Sequence, residues 1–393
     1  MRNDKSYVYW EGIITVGYKP NGKPQQKSFT GKTQAEVVKK MQEAQQAINS
    51  GTYVKPTKTT LVNFCNYYLT DCTAGVKPLT VEKYQSILRT HVAPYFGNRK
   101  LQDIRTTDIQ TFIKYLSTDG KRSTRTVNGK QITTHGALAP KTIRDVYGFL
   151  TVIFNKALEQ EVIQKNPCNH VAIPKKEKTE IKPLADEKIG EFLQAIKGDE
   201  YELPLKLILF TGLREAEAIG LTWDCIDFKR NQIKVCKQLQ SAQGYEFCST
   251  KNGKIRTLTV APFIMEMLKD IKAKQLNDII EAGEDWKGAK TPEELKTALV
   301  FTRPDGTHLI AGTFYKHCKK ALQSIGAEDC RIHALRHSYA VQDLANGGDV
   351  KTLQENLGHS SAAITLDIYA HATDEMKKKS ADRMQAIYES LTA

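Results

Sequence analysis

Apolar and polar positions follow different rhythms along this chain, and the changes of rhythm mark its parts. Val8 to Trp10, Gly12 to Tyr18 and Gln26 to Phe29 are rich in β-branched and aromatic residues, with turn chemistry at Pro20-Asn21-Gly22-Lys23. That pattern predicts a small antiparallel sheet of three strands. From Thr33 apolar residues recur three apart, at Ala35, Val38, Met41 and Ala44, and the run ends near Gly51. One helix is therefore expected to cover the sheet. Lys55 to Thr60 is polar, carries a proline, has no period and reads as a linker.

Beyond Leu61 the period is helical. Leu61 to Tyr68, Thr80 to Val92, Thr106 to Leu116 and Pro140 to Gln160 predict a helical bundle, with Thr80 as a cap and Pro140 in a first turn. The exception is Lys121 to Gly136, where Thr124 to Val127, Asn128-Gly129 and Gln131 to Thr134 spell a β-hairpin. Lys121, Arg122, Arg125 and Lys130 make it a basic ribbon, or alternatively a solvated loop. Asn166-Pro167 ends the bundle, and Pro174 to Pro183 is a charged connector. Helices then follow at Asp186 to Ile196, Leu203 to Leu213 and Glu215 to Leu221, strands at Asn231 to Lys237 and Ile255 to Val260, and helices from Pro262 onward. Ala282 to Lys296, charged and glycine-bearing, reads as an insertion of low functional content. The expected fold is multidomain: a small α+β module with a three-stranded sheet plus helix at 1–56, an all-α bundle with a β-hairpin insertion at 57–172, and a mainly-α domain with a small β-sheet at 173–393.

Charge changes this picture. Among the 393 residues, 57 Lys and Arg against 44 Asp and Glu leave a net charge of +13, and the first sixty residues hold ten basic against four acidic side chains. So much positive charge points to a polyanionic partner. No apolar stretch suits a signal peptide or a membrane span, and eight scattered cysteines without a C-x-x-C pair read as free thiols, so a cytoplasmic protein is expected.

Five short segments of the third domain resemble, in order and spacing, the signature of the tyrosine recombinases, the phage integrase family. They are Thr211-Gly212-Leu213-Arg214-Glu215-Ala216-Glu217, Thr250-Lys251-Asn252-Gly253-Lys254-Ile255-Arg256, His333-Ala334-Leu335-Arg336-His337, Leu357-Gly358-His359-Ser360 and Leu366-Asp367-Ile368-Tyr369. The three-part layout is similar to integrases of conjugative transposons and temperate phages. The resemblance implies a mainly-α catalytic domain, a core-site-binding bundle and a basic accessory-site module. It also implies cleavage through a 3′-phosphotyrosine intermediate, integrating and excising the DNA of a mobile element.

Phosphodiester cleavage needs charge stabilisation at the non-bridging oxygens, which forked guanidinium groups suit. The family pattern indicates Arg214 and Arg336 as the clamps, His333 as the acceptor of the nucleophile's proton, and His359 as a hydrogen-bond donor to phosphate. It also indicates Lys251, at a hairpin tip formed by Asn252-Gly253, as the acid for the departing 5′ oxygen, and Tyr369 as the nucleophile. Lys19, Lys23, Lys27, Lys121, Arg122, Arg125, Lys130, Lys141, Arg144 and Arg256 are the expected DNA-contact residues. The expected partners are double-stranded DNA at core and accessory sites, three further copies of the chain in a tetramer on two DNA sites, an excisionase and DNA-bending factors. The apolar face at Met384, Ile387 and Leu391 suits docking on a neighbouring protomer or on its own domain. No cofactor and no metal are expected. A zinc site drawn from His317, Cys318, Cys330, His333 and His337 is the rival chemistry, weakened because Ala334 stands where H-E-x-x-H needs its glutamate. A type IB topoisomerase and a non-catalytic DNA-binding relative are the alternative functions.

Overall fold

The structure is a computed structural model that describes residues 9–18, 21–51, 53–127, 130–175, 182–240, 245–249, 253–358, 381–382, 384–385 and 388–392, with the side chains of 123–127 and 130–132 outside that description. It divides into two compact units, Met1–Lys178 and Thr179–Ala393.

In the first unit, strands β1 (Trp10–Tyr18) and β2 (Pro24–Gly31) pair antiparallel, with a bulge between Thr15 and Gly17. Helix α1 (Gln34–Asn49) starts where the Thr33 hydroxyl accepts the Glu36 N–H at 3.3 Å. Two strands are described where three were expected, because Trp10 to Tyr18 run on without a break. Gly12 pairs with Phe29 and lies directly beneath Met41 and Val37 of α1, where a β-carbon would collide, so it serves helix docking rather than a turn. Alternation then sets the faces. Glu11, Ile13 and Thr15, opposite Thr30, Ser28 and Gln26, are exposed, whereas Ile14, Lys27 and Phe29 are half-buried.

The bundle consists of α2 (Leu61–Asp71), α3 (Pro78–Ile87), α4 (Ala93–Phe96), α5 (Thr106–Thr118) and α6 (Pro140–Glu159), with a π-helical turn at Leu88–Val92 joining α3 to α4. Thr80 does not cap α3. Pro78 occupies the first turn behind Lys77, a position for which its fixed φ and missing N–H are already suited. Ile143, Val146, Phe149, Leu150, Ile153, Phe154 and Ala157 form one buried stripe on α6, closing on Leu61, Ile109, Phe112 and Leu116. The predicted hairpin is present as β3 (Lys121–Val127) and β4 (Lys130–Gly136), in register from Lys121 opposite Gly136 to Val127 opposite Lys130. The Lys55 to Thr60 segment is fastened to the bundle. Gln102 accepts the Thr57 N–H at 3.0 Å and donates to the carbonyls of Lys55 and Val162, each at 2.9 Å, while the Thr60 hydroxyl caps α2.

In the second unit, α7 (Asp186–Ala195) and α8 (Glu202–Thr211) precede the short α9 (Glu215–Ile219). Five strands follow: β5 (Ile226–Asp227), β6 (Gln232–Val235), β7 (Lys237–Gln240), β8 (Glu246–Ser249) and β9 (Arg256–Thr259). They are followed by α10 (Pro262–Ala282), α11 (Pro292–Thr297), α12 (Ala311–Ser324), α13 (Ile332–Ala345) and α14 (Val350–Leu357). The strand expected over Asn231 to Lys237 is divided at Cys236, since β6 lies between β5 and β9 while β7 pairs with β8. The strands flanking Lys251 therefore belong to two different sheets rather than to one hairpin. The segment expected as an insertion is folded onto the unit, with Trp286 buried and its indole N–H donating to the Ala289 carbonyl at 3.0 Å. Helix α8 is apolar on nearly every side, burying Pro204, Leu205, Leu207, Ile208 and Leu209, and so carries the site from the middle of the core. Among the described residues no helix is long and apolar enough to cross a membrane.

Candidate active site

Helix α8 ends at Gly212 in the left-handed conformation, φ +66°, donating its N–H to the Ile208 carbonyl at 3.0 Å. Any β-carbon there would meet the ring of Tyr339 and the side chain of Leu357, so glycine is required by both backbone and packing. Two residues on, Arg214 stands as the N-terminal cap of α9. The Glu217 carboxylate turns back to accept the Arg214 backbone N–H at 3.0 Å and its guanidinium at 2.8 Å.

Glu217 is the centre of an ion cluster that sequence reasoning missed. Its side chain is completely buried. Its Oε1 accepts from Nη1 of Arg214 and, at 3.0 Å, from Nη1 of Arg256, and its Oε2 accepts from Nη2 of Arg256 at 2.6 Å. Burial alone would push this carboxyl up, but hydrogen bonding and charge from Arg256, with help from Arg214, outweigh burial and hold it at about 2. The available signal was a carboxylate three residues after a helix-capping residue, the spacing of a capping box.

The three guanidinium groups also converge on the carboxyl end of α14. Arg256 Nε donates to the Asn356 carbonyl at 2.7 Å, Arg336 Nη2 to Leu357 at 2.5 Å, and Arg214 Nη2 to Gly358 at 3.1 Å. These are among the carbonyls a helix leaves unpaired at its end, where the negative end of its dipole lies. Arg336 further donates to the Gly212 carbonyl at 2.5 Å. It projects from α13 into the interior, and burial followed by repulsion from Arg214 lowers its pKa to about 9, which leaves it charged at neutral pH. Two guanidinium groups therefore grip one carboxylate, and the third, that of Arg336, is near enough to sense its charge. The excess of positive charge is held at the carboxyl end of α14.

His333 lies exposed in the first turn of α13, its ring edge-on to His337 at 5.1 Å between centroids. Lys251, His359 and Tyr369, together with the expected tail helix residue Ile387, lie outside the described residues. The zinc alternative finds no support. His317 is bonded to Asp199 at 2.7 Å, Cys318 is buried with its thiol pushed up to about 12, and among the described residues no group of three or more His, Cys, Asp or Glu is placed to hold a metal.

The expected DNA-contact residues are differently placed. Lys23, Lys121, Arg122 and Lys141 are exposed. Lys27 instead lies over the rings of Phe29 and Tyr53, at 5.0 and 5.7 Å. Arg144 donates to the Pro174 carbonyl at 3.0 Å. Arg256 is turned inward, with only 9% of its side chain exposed. Lys19 and the side chains of Arg125 and Lys130 lie outside the described residues.

The chain is similar to several known proteins. Residues 178–376 match the phage integrase family and residues 60–117 match the phage integrase N-terminal SAM-like domain. The chain is 29% identical to a tyrosine recombinase XerC-like protein of Caldanaerobacter subterraneus, covering 99% of this chain and 98% of that protein. It is 25% identical to the ICEBs1 integrase of Bacillus subtilis, covering 81% and 80%. The fold resembles the Tn1549 transposon integrase, solved in complex with a circular intermediate DNA, with a TM-score of 0.63 at 20% identity over 83% of this chain and 99% of that one. Lambda integrase bound to a core site gives a TM-score of 0.54 at 18% identity, covering 79% and 95%. Since the family pattern extends over half of the chain and has the guanidinium cluster within it, the chain belongs to the phage integrase family and is a tyrosine recombinase.

Proposed function

We propose that this recombinase is the integrase of a mobile element, and that it cuts and rejoins double-stranded DNA through a 3′-phosphotyrosine link formed by Tyr369. The observation that carries the reading is the cluster in which Arg214 and Arg256 share the Glu217 carboxylate and Arg214, Arg256 and Arg336 all donate to the carboxyl end of α14. Arg214 commits two donors, from Nη1 and Nη2, to described partners, so its part-exposed five-donor fork keeps N–H groups for another acceptor, while the buried Arg336 adds its charge. A phosphate diester supplies that acceptor. Its oxygens gain charge in the transition state, where preorganised cations stabilise it most.

In this reading the Tyr369 oxygen attacks phosphorus as its proton passes to His333. The bond to the 5′ oxygen breaks with a proton from Lys251, and His359 donates to a non-bridging oxygen. The 5′ hydroxyl of a partner strand then reverses the step, so the energy of the phosphodiester is kept in the protein link and no nucleotide cofactor is consumed. The bundle and the catalytic domain hold the core site, residues 1–56 hold accessory sites, and four copies act on two DNA segments. Excisionase and DNA-bending factors complete the expected assembly, in the cytoplasm. The topoisomerase and non-catalytic alternatives draw no support from the relatives described above.

The test is covalent trapping on nicked duplex DNA. Wild type should form an adduct that resists denaturation, and Tyr369→Phe should bind the same DNA and form none. An adduct of normal yield from Tyr369→Phe would move the nucleophile elsewhere.

A further inference from the structure

We infer that Arg256 is a positioning residue for strand cleavage, which sets the catalytic guanidinium of Arg214 through Glu217 and fixes the end of α14 through the Asn356 carbonyl. The inference rests on the proposed recombinase reading and departs from the expectation that Arg256 contacts DNA. Three of its five N–H groups are already spent inside the protein, one on Asn356 and one to each oxygen of Glu217. The two oxygens of Glu217 are in turn shared between Arg256 and Arg214. The carboxylate therefore cannot be recruited by one arginine without moving the other.

Place in the chain adds to the argument. Arg256 is the first residue of β9, pairing with Val235 of β6, and so marks where the segment after Lys251 enters the sheet. Its guanidinium also lies against Gly358, where a β-carbon would come within 3.2 Å of Nη1, and the Gly358 carbonyl accepts from Arg214 Nη2. One planar fork thus joins the entry of β9, the start of α9 and the carboxyl end of α14, from which His359 follows. A lysine at this position keeps the charge but cannot span both carboxylate oxygens and a carbonyl with fixed geometry. Groups that orient the ligands of a metal commonly contribute about 10- to 100-fold in affinity or activity, and a loss of the same order is expected for a group that orients a catalytic guanidinium.

The experiment uses the full chain and a nicked duplex recovered by covalent capture from random-sequence DNA. Failure of wild type to capture any duplex would refute the recombinase reading itself, separately from this inference. With a captured duplex, Arg256→Lys and Arg256→Gln should cleave about 10- to 100-fold more slowly in single turnover while DNA affinity stays within about threefold of wild type. Combined with Arg214→Lys, Arg256→Gln should add little further loss, because both act on one guanidinium. Should Arg256→Gln alone not fold, Arg256→Gln with Glu217→Gln, neutral at both buried positions, carries the same measurement. Cleavage by Arg256→Lys within threefold of wild type would overturn the inference. So would a loss matched by an equal loss of DNA affinity, or a defect fully additive with Arg214→Lys.

Discussion

Glu217→Gln is the sharpest perturbation of the buried ion cluster. The substitution keeps shape and volume but removes the carboxylate that, among the described residues, is bonded to Arg214 and Arg256, whose side chains are 19% and 9% exposed. The depression of the Glu217 carboxyl from its usual 4.5 to about 2 corresponds to about 3 kcal/mol of folding free energy. Breaking a buried pair by removing one partner costs about 3 to 5 kcal/mol, so a loss in that range is expected at pH 7. Because the folded-state value is the lower one, this contribution is complete above 4.5 and disappears as the pH falls through about 2. At pH 3 about half of it remains. Urea unfolding followed by tryptophan fluorescence measures the difference, since Trp223 and Trp286 are buried in the same unit as Glu217. A deficit below about 1 kcal/mol at pH 7, or one that fails to shrink between pH 7 and pH 3, would refute the view that a charged Glu217 holds the two arginines.

Gly212→Ala should destabilise the second unit by about 2 to 4 kcal/mol, combining a left-handed backbone with overpacking against Tyr339 and Leu357; an unchanged melting temperature would contradict this packing. Cleavage should persist in excess EDTA because guanidinium groups supply the charge a metal would otherwise provide, and activity restored only by added zinc or magnesium would overturn the mechanism. A fragment beginning at Val54 should retain core-site binding, whereas one beginning at Leu61 should be less stable by about 1 kcal/mol, having lost the Thr60 cap and the Lys55 and Thr57 bonds to Gln102. Footprints on an attachment region that are identical with and without residues 1–53 would reject a DNA-binding role for the first module.

What the chain determines by itself is what depends on near neighbours. The 3.6-residue stripe of α6 and the strand-forming runs on either side of Asn128-Gly129 are local patterns, and both yield the expected elements. The resemblance to the family's motifs also singles out Arg214 and Arg336 as candidates, and the Thr211-Gly212 end of α8 precedes the first of them. Charge did not reveal its own destination. A lysine or arginine in sequence is equally compatible with a phosphate, an aromatic ring, a carboxylate or a carbonyl, and only folding brought Lys27 over Phe29 and Tyr53 and turned Arg256 inward.

The centre of the site was decided by tertiary structure alone. Arg256 meets Glu217 across 39 residues and the Asn356 carbonyl across 100, joining β9 to α9 and α14. Such pairings have no periodic signature, because strand order is set by packing between distant segments. Backbone carbonyls are still less visible, since every residue has one and only the end of a helix leaves it unpaired. The chain thus specifies the guanidinium groups, and the fold decides which carboxylate and which carbonyls each of them meets.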